Sequence, residues 1–253
     1  VLVAGAPADK ASRLVADADP LRVTGGARRF VSRGGDKLDA ALGGFAIDVG
    51  GRRALDAGAS TGGFTDCLLQ RGAATVVAVD VGYGQLDPRL RSDERVRVVE
   101  RTNIRFATAA ELGGPFEVVV ADLSFISLAG VVPLLAGELA GRGADLVLLV
   151  KPQFEAGRQA VRRSRGVVRD PEIRAQALVG VCSALGAAGA SIMGVMASPV
   201  LGPAGNAEFL VHARAHAPAS PGSPALSGDA LAAAIDAAVA SAPDAGAPEA
   251  GGS

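Results

Sequence analysis

Two cysteines, two histidines and three lysines in 253 residues leave few side chains for several kinds of chemistry. Cys67 and Cys182 fall in separate helix-like segments, so neither a disulfide framework nor a metal-ligand cluster is expected. His212 and His216 lie at or beyond the last expected strand, without the acid and serine arrangement of a histidine-based triad. No apolar run reaches membrane-spanning length, which argues against a membrane partner. The N-terminus lacks the charged, apolar and small-residue order of a secretory signal, and a cytoplasmic location is the default expectation. A net charge of −1 gives no global nucleic-acid signature, so an RNA partner has to be held by local basic patches.

The scarcity of lysine is informative in a different way. Against 22 arginines stand only Lys10, Lys37 and Lys151, and two of the three fall in motif-like contexts. Lysine can shed its proton when buried or crowded by charge, whereas arginine effectively cannot. Proton handling is one reason to keep them; chance placement is the other.

With 49% apolar residues the chain can bury a sizeable core, and one α/β domain with appendages is expected. Residues 1–26 hold short β-forming runs between turn residues and read as a small β appendage. No initiator methionine begins the numbering, which suggests a truncation. From Arg29 to Leu38 a glycine-rich entry leads into a helix, with Arg29, Arg33 and Lys37 near its start. Cations are unfavourable at a helix N-terminus, so phosphate contact is the functional reading and a solvated turn the plain one.

Leu55 to Phe64 reads as a strand running through a glycine turn into a helix, the place where open α/β sheets bind nucleoside ligands. The spacing predicts a strand over Arg53–Ala57 and a helix over Gly62–Arg71. The next strand, from Thr75, ends in Asp80, about 20 residues past the turn and suited to ribose hydroxyls. A third strand over Arg95–Val99 leads to Asn103, either a base contact or a loop cap. A fourth, Phe116–Asp122, again ends in a carboxylate, and an apolar helix is expected over 128–141. A fifth, from Asp145, ends in Lys151 before Pro152. Sequential strands usually lie adjacent, so Asp122 and Lys151 are expected as neighbours above the sheet. Residues 152–170 read as a long loop with five arginines, including Arg158, Arg162, Arg163 and Arg165, suited to a polyanion. After a helix over Pro171–Ala188 come strands over Ser191–Ala197 and Ala207–Ala213, with Glu208 near the same sheet edge if the last strand is antiparallel. Residues 216–253 are rich in Ala, Pro, Gly and Ser and read as a largely disordered tail, apart from a short helix over Leu231–Val239.

This order fits a doubly wound sheet and leaves hydride and methyl transfer open. The turn Gly58-Ala59-Ser60-Thr61-Gly62-Gly63 does not match dinucleotide G-x-G-x-x-G spacing, and a terminal strand pair suits methyltransferases better. Asp122-Leu123-Ser124-Phe125 lacks the proline-aromatic pattern of amino-methylating enzymes, and no nucleophilic cysteine is nearby, which favours oxygen methylation.

Six runs now carry a resemblance: Val31 to Leu38, Asp56 to Thr65, Asp80 to Leu86, Ala121 to Leu128, Val150 to Glu155 and Ser198 to Glu208. In this order they resemble the TlyA (hemolysin A) family over roughly residues 28 to 213. The resemblance implies an α/β, Rossmann-like methyltransferase fold with a mostly parallel seven-stranded sheet whose last strand is antiparallel. It implies S-adenosylmethionine-dependent 2′-O-methylation of cytidines in the ribosomal RNA of both subunits, by a tetrad that here is Lys37, Asp122, Lys151 and Glu208. Residues 1–26 would be the remnant of an S4-like RNA-binding module, 27–215 the FtsJ-like domain and 216–253 the tail. Cofactor contacts are expected from Asp56, Gly58, Ala59, Ser60, Thr61, Gly62, Gly63, Phe64, Asp80, Asn103 and Asp122. RNA contacts are expected from Arg29, Arg33, Arg158, Arg162, Arg163 and Arg165, and no metal is expected. Lys151 is the candidate base, with Lys37 adding positive charge against Asp122, and with Lys37 and Glu208 positioning the ribose. The alternative from another class is an RNA-binding or assembly protein that keeps the fold without turnover; nicotinamide-dependent oxidoreduction is the third reading. Neither a membrane span nor a strongly cationic amphipathic helix supports pore formation.

Overall fold

The computed structural model describes residues 2–8, 13–22, 28–156, 166–216 and 225–243. Strands β1 (Leu2–Val3), β2 (Ala6–Pro7) and β3 (Leu21–Arg22) form a small antiparallel sheet in the order β2-β1-β3. The α/β domain begins at helix α1 (Arg33–Gly44), whose N-cap Ser32 accepts a hydrogen bond from the Gly34 amide. Then come β4 (Arg53–Ala57), α2 (Gly63–Gln70), β5 (Thr75–Val79), the short α3 (Pro88–Arg91), β6 (Val96–Val99), α4 (Ala109–Leu112) and β7 (Phe116–Ala121). The second half comprises α5 (Val132–Leu134), β8 (Ala140–Val150), α6 (Pro152–Glu155), α7 (Pro171–Ala187), β9 (Ala190–Ala197), β10 (Phe209–Ala215) and α8 (Gly228–Ala240).

Seven strands make one sheet in the order β6-β5-β4-β7-β8-β10-β9. Strands β4 to β8 pair in parallel, and β10 is inserted antiparallel to both β8 and β9. The order turns back on either side of β4 and β7, so the carboxyl ends of these strands diverge around a crevice, where ligands of open α/β sheets bind. Alternate residues face opposite layers. Leu55, Ala57, Val119 and Ala121 belong to the core beneath α5 and α7, whereas Ala54, Val118 and Val120 pack with α1 and α2.

Three segments differ from the expectation. The apolar run over 128–141 gives only α5 and a π-helical turn at Leu135–Leu139, and β8 starts at Ala140 rather than at Asp145. Gly137, Gly141 and Gly143 weaken a helix there, and Gly141 lets the chain pass the Phe116 carbonyl, where a Cβ would stand 3.2 Å away. The loop after Lys151 begins with a helical turn, α6, because Pro152 is suited to a first helical position. Beyond residue 215 the expected short helix is longer and packed: α8 buries Ile235 and Ala238, and the Leu226 amide donates to the Ile192 carbonyl at 2.7 Å. Residues 217–224 and 244–253 of that segment lie outside the described residues. Among the described residues no helix is long and apolar enough to cross a membrane.

Both cysteines are free and buried; burial pushes the Cys67 thiol up to about 12 and the Cys182 thiol up to about 11, which removes them as nucleophiles at neutral pH. His212 lies 2.8 Å from the buried Asp145. Burial works to raise the Asp145 carboxyl, but hydrogen bonds with His212, Arg52 and Arg214 outweigh it and hold the group well below the usual carboxylate range. That cluster occupies His212 structurally.

Candidate active site

Strands β7 and β8 run side by side in parallel, so the residues that follow them leave the sheet at one edge. These are Asp122 and Lys151. Lys151 Nζ stands 2.5 Å from Asp122 Oδ1 and donates a hydrogen bond to Ser124 Oγ at 2.8 Å. The Asp122 contact is an ion pair whose angles fall outside hydrogen-bond geometry, and Oδ1 has no hydrogen-bond partner among the described residues.

Strand β10 lies antiparallel to β8 with Phe209 opposite Val150, which brings Glu208 to the same edge from the other chain direction. Its carboxylate is buried and accepts a hydrogen bond from Lys37 Nζ at 2.5 Å. Its other oxygen, Oε1, has no hydrogen-bond partner among the described residues and lies against Gly202, where a Cβ would stand 2.5 Å away. The tetrad is therefore two ion pairs, Lys37–Glu208 and Lys151–Asp122. The positive charge that Lys37 was expected to press on Lys151 is balanced by Glu208, because the long α1 side chain reaches the end of β10 first. Both lysines are nearly buried, and all four residues line one cavity of about 270 Å³.

Gly58, Ser60, Asp122 and Ser124 are shared with a second cleft of about 490 Å³ that runs over the ends of β5 and β6. Asp80 is at its centre. Oδ2 of Asp80 accepts from the Ser60 amide at 2.8 Å and Oδ1 from the Gly82 amide at 2.7 Å. Each carboxylate oxygen can accept twice, so capacity for hydroxyl donors remains. Val81, Ile104, Leu123 and Ile126 give the cleft an apolar lining suited to a flat base. Asn103 lines it as well, while its Oδ1 caps the next turn by accepting from the Arg105 amide at 3.1 Å. Gly58 joins the two cavities at φ +89°, and a Cβ there would stand 2.5 Å from the Asp122 carbonyl oxygen.

Not every expected contact is made. Asp56 lines neither cavity: it is fully buried, its Oδ2 accepts from Thr65 Oγ1 at 2.7 Å, and Oδ1 has no partner. Strand alternation sends it into the layer under α2 with Ala54. Burial pushes its carboxyl up to about 7, against the hydrogen bond from Thr65. Gly62 also lines neither cavity; at φ +99° a Cβ would lie 2.3 Å from Leu90 Cδ1, so it serves packing. Ala59, Thr61, Gly63 and Phe64 line the smaller cavity and not the larger one.

Arg33 is exposed and lines the smaller cavity. Arg29 is paired with Asp39 of α1 at 2.5 Å and lies 4.6 Å over the Phe30 ring, which ties it to α1 and to its own neighbour. Arg158, Arg162, Arg163 and Arg165 lie outside the described residues. Sequence reasoning passed over Ser124, although it stands in the run that held Asp122, because a serine after a strand carries no signal of its own.

Comparison with known proteins fits this geometry. Residues 30–215 match the FtsJ-like methyltransferase family. The chain is 50% identical over 244 residues to the 16S/23S rRNA (cytidine-2′-O)-methyltransferase TlyA of Mycobacterium tuberculosis, covering 96% of this chain and 88% of that protein. It is 38% identical to Hemolysin A of Brachyspira hyodysenteriae, over 84% of this chain and 88% of the other. A solved structure from Streptococcus thermophilus, provisionally described as a hemolysin, superposes with a TM-score of 0.78 at 40% identity, covering 93% of this chain and 82% of that one.

Proposed function

The chain belongs to the TlyA branch of the FtsJ-like methyltransferases, and from that premise we propose that it methylates the ribose 2′-oxygen of cytidines in the ribosomal RNA of both subunits, using S-adenosylmethionine. The observation that carries this reading is the convergence of the two lysine–carboxylate pairs on a cavity that opens into the Asp80 cleft. Ribosomal RNA, free or in subunits, is the partner, and the compartment is that of the ribosome. The small N-terminal sheet, as an S4-like remnant, and the arginines flanking the domain would hold the RNA backbone.

The donor set suits S-adenosylmethionine. Asp80 offers acceptor capacity for two ribose hydroxyls, Val81, Ile104, Leu123 and Ile126 offer apolar surface to adenine, and Gly58 lets the turn pass close to the Asp122 carbonyl between the two cavities. When bound, it supplies an electrophilic methyl carbon on a positively charged sulfur. Asp122, which lines both cavities, offers negative charge at their junction.

A 2′-hydroxyl is a poor nucleophile while it keeps its proton. Lys151 Nζ is the group that takes it, after releasing to solvent one of the three protons it carries in the ion pair with Asp122, and Asp122 and Ser124 hold it at the cavity wall. Lys37 and Glu208, locked to each other, hold an ammonium and a carboxylate in fixed positions at the wall of the cavity that the sugar would enter. Positioning of this kind can supply much of a rate enhancement.

The test is transfer of labelled methyl groups to ribosomal subunits. Lys151→Ala is expected to abolish transfer while S-adenosylmethionine still binds; wild-type transfer by this variant would remove the lysine from the mechanism. Absence of transfer by the unmodified protein, with RNA still bound, would instead identify an assembly factor. Asp80→Ala is expected to weaken cofactor binding at least about tenfold, as loss of hydrogen bonds to an ionised acceptor implies. Calorimetry showing unchanged affinity would reject that role.

A further inference from the structure

The loop that follows Asp122 is fastened to the segment that begins with Lys151, and the fastening is out of proportion to its length. Lys151 Nζ donates to Ser124 Oγ at 2.8 Å. Phe154 and Phe125 meet with ring centroids 5.3 Å apart. Glu155, at the end of α6, grips the loop beyond: its carboxylate accepts from Ser127 Oγ at 2.7 Å, from the Leu128 amide at 2.6 Å and from the Ala129 amide at 3.4 Å. Three successive contacts thus hold residues 124–129 against residues 151–155.

Between Ser124 and the residues that Glu155 grips, Phe125 adopts φ +67° with its side chain 89% exposed. An aromatic residue in the left-handed region is strained and persists only where its surroundings impose it. A relaxed loop would swing Ser124 elsewhere.

We propose that Ser124 is a positioning residue for methyl transfer, fixing the direction of the Lys151 amine, and that Glu155 holds the loop that presents it. This rests on the reading of Lys151 as the base. A neutral amine carries two N–H bonds and one lone pair at tetrahedral angles. Ser124 Oγ is the acceptor in hydrogen-bond geometry with Nζ, whereas Asp122 Oδ1 attracts Nζ as a charge without that geometry. Ser124 thus fixes one of the two N–H directions, and the Asp122 charge narrows the rotation left to the lone pair that receives the hydroxyl proton. With Asp122 alone, Nζ rotates about its bond to Cε, and the lone pair is aimed only part of the time. Ser124 lines both cavities, so it stands beside the reacting atoms without itself needing to exchange a proton.

The experiment measures steady-state methyl transfer and S-adenosylmethionine affinity for the full chain carrying Ser124→Ala, Ser124→Thr, Glu155→Ala or Lys151→Ala. Ser124→Ala is expected to lower kcat about tenfold, the scale of a lost orienting contact, and to move the pH profile of kcat, with KM and cofactor affinity near those of the unmodified protein. Ser124→Thr, which keeps the hydroxyl, is expected to restore most of kcat. Glu155→Ala should reproduce the kcat loss with the tetrad intact. Unchanged kcat in Ser124→Ala beside an inactive Lys151→Ala would overturn the positioning role and leave the base in place. An effect confined to KM, or a threonine variant no better than alanine, would overturn it too. Full activity in Lys151→Ala would remove both the base and its positioning residue.

Discussion

Three aspartates gather near the carboxyl edge of the sheet, and their surroundings divide their work. Asp80 accepts two amide hydrogen bonds in an open cleft, Asp122 faces Lys151, and Asp56 is sealed beneath the glycine turn. Burial raises the Asp56 carboxyl from 3.8 to about 7. For a carboxyl raised on folding, the contribution to stability is fully present below the unfolded value and is lost as pH rises through the folded one. Asp56→Asn keeps an acceptor for Thr65 and cannot ionise. Relative to the unmodified protein, its unfolding free energy is therefore expected to improve between about pH 5 and about pH 8, and to change little above that. Denaturant titrations at both pH values measure it; a constant difference would show that Asp56 does not titrate on folding. Because Asp56 lines neither cavity, the same variant should bind S-adenosylmethionine almost normally.

At the scale of elements, the turn between β4 and α2 is where geometry leaves least room. Gly58 and Gly84 both have positive φ, +89° and +70°. A Cβ on Gly84 meets nothing within 4 Å, whereas on Gly58 it would lie 2.5 Å from the Asp122 carbonyl oxygen. Gly84→Ala should thus cost only backbone strain, about 1–2 kcal/mol. Gly58→Ala should add overpacking of about 1–3 kcal/mol and push the Asp122 backbone, so that melting temperature and methyl transfer both fall further. Equal losses in the two variants would mean that φ alone explains the glycine. This turn was legible because its strand, glycines and helix are contiguous in sequence. The helix expected over 128–141 was not, because an apolar run gives no period that separates a buried strand from a buried helix, and β8 takes up part of it.

At the scale of the molecule, α8 closes one end of the layer formed by α7 and β9. It lies along β9, at the far edge of the sheet from β6, and none of its residues lines either active-site cavity. Ending the chain after His216 would expose the side chains that Ile235 and Ala238 cover. Losing the burial of one isoleucine costs about 1.5–3 kcal/mol, so the melting temperature should drop by several degrees while methyl transfer at moderate temperature persists. An unchanged melting curve would show that α8 adds nothing to the domain.

The sequence alone determined the succession of strands and helices, the glycine turn, and the acids and lysine at strand ends, since each is written in neighbouring residues and a period of two or 3.6. It also supplied the family, through motifs read in order. The tertiary structure decided how the charges pair. Lys37 meets Glu208 across 171 residues only because β10 inserts antiparallel beside β8, and no local pattern encodes that insertion. It likewise decided that Asp56 faces inward while Asp80 faces the cleft, and that Ser124 shares Lys151 with Asp122. Those contacts follow from the packing of α2 and the path of one strained loop, which arise once the layers are assembled.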